Sequence, residues 1–257
     1  MEGTNMPLLN RDGVGIYYES HGQGPAILLS HGYSATCRMW DGQIAALRDR
    51  FRVIVWDMRG HGQSDVPADP SAYSEAATVG DMAALLQACE VESAVIAGLS
   101  LGGYMSLAFH LRHPARVRAL MLFDTGPGFR NDAARDTWNA RARARADELD
   151  ARGFAALGSS DEVRMSQHRS PAGLAGAARG MLTQQDDSVI RSLETIRVPT
   201  LVLVGANDTN FLAATDYMAA KIPGATKVTI PDAGHASNLH QPAAFSRAVE
   251  GFLVGLQ

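Results

Sequence analysis

Short aliphatic runs of strand length alternate with segments of helical spacing along most of this 257-residue chain. That alternation is the strongest constraint on the fold. Consecutive strands separated by helices share a sheet most readily when they run parallel and the helices cover its faces. The runs are Gly15-Ile16-Tyr17-Tyr18-Glu19, Ala26-Ile27-Leu28-Leu29-Ser30, and residues 51–56, 94–97, 117–123, 200–204 and 227–230. The first two, joined across the turn signal Gly22-Gln23-Gly24-Pro25, are expected to start the sheet. Helical patterns occupy residues 78–88, 102–112 and 242–253, the last with Pro242 near its start, where a missing N–H costs little.

Residues 126–196 break the rhythm, being rich in Ala, Arg and Asp at helical spacing and lacking any β-rich run. The predicted architecture is therefore α/β: a mostly parallel central sheet covered by helices, with an inserted helical cap. The core comprises residues 1–125 and 197–257, and the cap residues 126–196. Trp138, Ala142 and Leu149 can share one apolar face of a cap helix, and Trp138 is the candidate substrate-pocket wall, with packing inside the cap as its competing role.

Composition narrows the partners. With 46% hydrophobic and 19% charged residues, the chain has an ordinary globular make-up and not that of a disordered segment. A net charge of −4 gives no attraction to phosphate backbones or anionic lipid, so neither nucleic acid nor membrane is an expected partner. The opening Met1-Glu2-Gly3-Thr4-Asn5-Met6-Pro7 lacks the basic start and apolar run of a secretory signal, which predicts a cytoplasmic location. The longest apolar stretches fall far below the roughly 20 residues needed to span a bilayer. Cys37 and Cys89 are too few for a disulfide framework and lack zinc-site spacing, so both are read as reduced thiols and no metal is expected.

The chemistry centres on Gly98-Leu99-Ser100-Leu101-Gly102, a G-x-S-x-G pattern directly after an apolar run and directly before a helical one. In that context the serine sits on a sharp strand-to-helix turn, which small flanking residues permit, and the helix start directs free N–H groups toward a developing oxyanion. A serine hydroxyl needs a base to take its proton. Of the eight histidines, His235 stands out because Pro231-Asp232-Ala233-Gly234-His235 follows the last expected strand. His110 and His113 belong to the helix after Ser100, His31 reads as a loop residue, and His21, His168 and His240 read as surface or packing residues. His61, in a Gly-rich loop, is a minor candidate. In chains with this motif an acid falls between serine and histidine. Asp208 and Asp124 both follow strands there; Asp208 is the preferred orienting acid, and Asp232 reads as structural. The oxyanion donors are expected to be the N–H groups of Leu101 and Tyr33, the latter after His31-Gly32.

With these residues in view, the chain resembles the α/β-hydrolase superfamily along nearly its whole length. The resemblance is carried by His31-Gly32, Asp57-Met58-Arg59-Gly60-His61-Gly62-Gln63-Ser64, residues 98–103, residues 205–208 and Gly234-His235. Met39-Trp40-Asp41 with Gln43 is similar to the corresponding segment of 3-oxoadipate enol-lactonases. The resemblance implies that Asp57 and Arg59 brace their own loop. Epoxide hydrolases and haloalkane dehalogenases carry aspartate where Ser100 stands. Meta-cleavage hydrolases usually carry tryptophan where Ala236 follows His235.

The reading is hydrolysis of a small-molecule carboxylic ester or lactone through an acyl-enzyme, with Ser100 as nucleophile, His235 as base and Asp208 as orienting acid, and no cofactor. The alternatives are a cofactor-free haloperoxidase or perhydrolase and a non-catalytic ligand receptor on the same fold.

Overall fold

A computed structural model describes residues 8–256, so the Met1–Pro7 opening lies outside the described residues. The strands are β1 (Leu8–Arg11), β2 (Val14–His21), β3 (Ala26–Ser30), β4 (Arg52–Trp56), β5 (Ala94–Leu99), β6 (Val117–Phe123), β7 (Thr200–Gly205) and β8 (Thr226–Ile230). They form one sheet in the order β1-β2-β4-β3-β5-β6-β7-β8. β2 pairs antiparallel with β1 and β4, and every other pairing is parallel. The helices are α1 (Asp41–Leu47), α2 (Glu75–Ala88), α3 (Leu101–Arg112), α4 (Asp132–Arg152), α5 (Asp161–Arg164), α6 (Pro171–Ala177), α7 (Ser188–Ser192), α8 (Leu212–Lys221), α9 (Ser237–His240) and α10 (Pro242–Val254).

The central strands read as unbroken aliphatic runs because both faces of the sheet are covered. Alternate residues go to opposite layers. Leu28, Ile54, Ile96, Leu120 and Val202 pack with α2, α3 and α8, through residues such as Met82, Leu85, Met105 and Met218. Ile27, Leu29, Val53, Val55, Val95, Ala97, Met121, Leu201 and Leu203 pack with α1 and α10, through Ile44, Leu47, Phe245, Val249 and Leu253. Local signals mark the helix starts: Ser74 Oγ accepts the Ala77 N–H at 3.1 Å to cap α2, and Asn131 Oδ1 accepts the Ala134 N–H at 3.0 Å to cap α4.

One feature differs from the sequence expectation. Among the described residues the sheet starts at Leu8, not Gly15, because β1 adds an edge strand against β2. The expected short connection joins β2 to β3, with β4 lying between them in the sheet. Elsewhere the expected strands and helices match to within a few residues.

The stretch between β6 and β7 carries α4 to α7 and no strand. Ala146, Leu149, Ala156, Leu174, Ala175 and Ala178 form a small core of its own. Its later part merges with the main core, where Ala177, Met181, Val189, Ile190, Leu193 and Ile196 are buried. Among the described residues, no helix is long and apolar enough to cross a membrane.

Candidate active site

The turn from β5 into α3 puts Ser100 at φ 55° and ψ −115°, a backbone conformation that L-residues adopt only under constraint. Crowding explains the glycines. A Cβ on Gly98 would stand 2.3 Å from the carbonyl carbon of Gly102, and one on Gly102 would stand 2.2 Å from the carbonyl oxygen of Ser30. The start of α3 is thereby pressed against the ends of β5 and β3, and Ser100 is lifted out of the turn. Its backbone is pinned by β6 and the loop beyond: Ser100 N–H donates to Phe123 O at 2.9 Å and Thr125 Oγ1–H donates to Ser100 O at 2.6 Å.

Leu101 opens α3, so its N–H has no intrahelical acceptor. The loop after β3 runs alongside, since a Cβ on Gly32 would lie 3.5 Å from the Cβ of Ser100. The next residue is Tyr33, whose N–H makes no hydrogen bond among the described residues. The two expected oxyanion donors thus belong to the residue after Ser100 and to the residue after Gly32, the glycine that lies against Ser100.

His235 Nδ1 lies 2.8 Å from Asp208 Oδ2, and the Phe211 ring stacks on the imidazole with centroids 5.1 Å apart. Among the described residues His235 Nε2 has no hydrogen-bond partner, which leaves that nitrogen for a proton. Burial of the ring lowers its pKa, but the hydrogen bond and charge of Asp208, with Asp124 and Glu162 adding, outweigh this and leave it above the ordinary histidine value. The loops carrying the pair are stitched together: Asn207 N–H donates to Ala233 O at 2.8 Å, and a Cβ on Gly205 would stand 2.4 Å from the carbonyl oxygens of Ala233 and Gly234.

Asp124, the competing acid, has a different set of contacts. Its Oδ1 accepts the Gly205 N–H at 2.8 Å and its Oδ2 accepts the Ser237 hydroxyl. Because Phe123 and Thr125 on either side hold the Ser100 backbone, Asp124 staples the serine turn to the loop bearing His235. Burial pushes its carboxyl up to about 7, against the opposing pull of the Ser237 and Gly205 donors.

Sequence reasoning missed a second brace. Asn238 Nδ2 donates to Met39 O at 2.8 Å and to Gln43 Oε1 at 3.1 Å, while Trp40 is buried against Phe123 and Phe245. The Met39-Trp40-Asp41 segment with Gln43, legible only as a family likeness, thus supports the stretch just after His235. Asp57 and Arg59 brace their loop as the resemblance implied. Asp57 accepts the N–H groups of Cys37 and Gln63 at 2.7 and 2.9 Å, and Arg59 forms a two-pronged pair with buried Asp81 at 2.7 Å for each contact.

The remaining sequence candidates make the following contacts. Trp138 donates its indole N–H to Leu182 O at 2.7 Å and packs against Phe129, joining α4 to the segment after α6. His240 accepts the Gly234 N–H at 2.8 Å. His168, read as a surface or packing residue, bridges the helical insertion to the sheet-borne loops. No three His, Cys, Asp or Glu side chains converge as a metal site among the described residues.

Residues 25–242 match the family described as the alpha/beta hydrolase fold. The chain belongs to that family. This α/β hydrolase is 29% identical to 3-oxoadipate enol-lactonase 1 of Acinetobacter baylyi, over 97% of each chain. Among solved structures it resembles a hydrolase from Pseudomonas aeruginosa PA01, at 32% identity and TM-score 0.79, over 98% of this chain and 99% of the other. It also resembles a thermophilic esterase from Thermogutta terrifontis, at 30% identity and TM-score 0.84, over 97% of each.

Proposed function

We propose that this α/β hydrolase cleaves a small-molecule carboxylic ester or lactone through an acyl-enzyme on Ser100. In this reading Ser100 Oγ adds to the substrate carbonyl carbon as its proton passes to His235 Nε2. The oxygen that becomes negative is held by the N–H groups of Leu101 and Tyr33. The C–O bond to the leaving alkoxide then breaks, and His235 returns the proton to that oxygen. In a lactone the leaving oxygen remains tethered to the acyl group. Water, deprotonated by the same imidazole, releases the acid and restores Ser100. Asp208 accepts a hydrogen bond from Nδ1–H throughout, the proton staying on the ring, which fixes the tautomer and stabilises the imidazolium.

The observation that carries this reading is the His235–Asp208 contact with Nε2 left unpartnered. It supports the reading because a base needs one nitrogen spent on orientation and the other free. The enol-lactonase and esterase among the similar proteins support the same substrate class.

The test is kinetic and chemical. A panel of esters and lactones is scored by kcat/KM, and Ser100 is labelled with a fluorophosphonate. Ser100→Ala and His235→Ala are each expected to lower kcat by about 10³-fold or more, since nucleophile and base act as a unit. Turnover within about tenfold of the parent in either variant refutes the assignment.

A further inference from the structure

Three imidazoles cluster, tilted and edge to face, beside the loop that carries Tyr33. His31 and His61 have ring centroids 4.9 Å apart, and His61 and His168 5.8 Å apart. The first two come from loops after β3 and β4, whereas His168 lies between α5 and α6 of the helical insertion. Each ring accepts a backbone N–H on one nitrogen and so donates from the other. His31 Nε2 accepts from Met58 at 2.9 Å and Nδ1 donates to Gly32 O at 2.7 Å. His61 Nε2 accepts from Ser34 at 3.3 Å and Nδ1 donates to Arg59 O at 3.1 Å. His168 Nδ1 accepts from Gly62 at 3.1 Å and Nε2 donates to Ser34 O at 3.1 Å. All three are therefore neutral donor–acceptor bridges, unavailable as bases.

Three of these bonds fall on Gly32 and Ser34, the residues on either side of Tyr33. The peptide whose N–H belongs to Tyr33 is held at its oxygen by His31. Ser34 has φ 57°, a left-handed conformation costly for a residue with a side chain, so it persists only where its surroundings impose it. Its N–H is taken by His61 and its C=O by His168. One residue earlier, the Tyr33 hydroxyl donates to Leu174 O of α6 at 3.0 Å. The insertion thus grips the loop just after the Tyr33 N–H, at the Tyr33 hydroxyl and at the Ser34 carbonyl, while His31 holds the oxygen of the peptide that carries it.

We propose that His168 is a positioning residue for the oxyanion hole: by holding the Ser34 carbonyl from the insertion, it fixes the direction of the Tyr33 N–H. Seating the insertion and completing the oxyanion hole are then one event. This inference rests on the proposed acyl-enzyme chemistry.

Two amide side chains separate the bonds. In place of histidine, asparagine puts its amide oxygen near the position of Nδ1 and keeps the Gly62 contact, but falls short of Ser34. Glutamine reaches the position of Nε2 and restores the donor to the Ser34 carbonyl. The readouts are kcat per fluorophosphonate-titrated site and the Ki of a trifluoromethyl ketone, which adds to the serine and places an oxyanion in the hole. His168→Asn is expected to lower kcat per site about tenfold or more and to raise Ki by a similar factor. That is less than the roughly 10²–10³-fold loss when a donor is removed outright. His168→Gln is expected to stay within about threefold of the parent on both measures. A purely structural role would reduce the titrated fraction and leave both per-site values unchanged. Should the Asn variant not fold, His168→Leu, which fills the volume without a donor, carries the same expectation. Equal behaviour of the donor-lacking and Gln variants, or a fall in kcat with Ki unmoved, overturns the clamp. Failure of the parent to be labelled at Ser100 overturns the acyl-enzyme reading, and the clamp with it.

Discussion

Asp124 offers a stability measurement whose sign and size follow from its surroundings. The carboxyl is fully buried and its pKa stands at about 7, raised from 3.8 chiefly by burial. Between those values the folded state binds a proton that the unfolded state has released, so stability falls as pH rises. The full contribution is present below about pH 4 and is lost as pH passes through about 7. A difference of about three units corresponds to about 4 kcal/mol, at about 1.4 kcal/mol per pH unit within the window. Asp124→Asn removes the ionisation while preserving shape: its amide oxygen can still accept the Gly205 N–H, and its amide nitrogen can donate to Ser237 Oγ. Urea unfolding of both proteins from about pH 5 to about pH 9 is expected to show the variant gaining on the parent as pH rises, then a constant difference above about pH 8. His235, whose pKa is raised in part by the Asp124 charge, shifts with the substitution and is titrated separately in each protein; groups remote from Asp124 cancel to first order in the comparison. A stability difference between parent and variant that stays flat across the window refutes the buried-carboxyl argument.

Three further outcomes are expected. Asp208→Asn should lower kcat far more than Asp124→Asn, since Asp208 contacts the histidine ring and fixes its tautomer, and the reverse ranking in steady-state assays would transfer the acid role to Asp124. Trp138→Ala should change the ranking among acyl-chain lengths by about 1–3 kcal/mol if the indole walls the acyl site; an unchanged ranking in a folded variant assigns it to packing of α4 against Leu182. A chelator should leave ester or lactone turnover unaltered, and a loss restored by added zinc would contradict the metal-free mechanism.

What could be read from sequence depended on whether an element stands on local pattern or on distant partners. The parallel strands were legible because burial on both faces leaves continuous aliphatic runs, and the turn at Ser100 because only glycine tolerates such close backbone contacts. β1 was not: Leu8-Leu9-Asn10-Arg11 is a half-exposed edge strand with neither a clear alternation nor a continuous run. The insertion of β4 between β2 and β3 is a non-local pairing with no local mark. At the site, Asp208 and Asp124 each follow a strand and read alike; their contacts distinguish them, one meeting an imidazole and the other a hydroxyl and an N–H. His168 was illegible for a related reason. Its partners are backbone groups of Ser34 and Gly62, and a side chain that bonds to backbone leaves no complementary residue type in the sequence.

β6 and β7 are parallel neighbours, a pairing that needs a crossover of only about a dozen residues or more. The chain spends residues 124–199 on that step. Its final portion is obligatory, since Met181, Val189, Leu193 and Ile196 help fill the core beneath the sheet. The portion around α4 and α6, closed on its own small alanine- and leucine-lined core, is topologically discretionary: it can lengthen, shorten or be exchanged without moving a strand register. A lineage built this way can vary that insertion while the sheet stays unchanged, and the contacts from His168 and Leu174 to the Tyr33 loop mark where any replacement would have to dock.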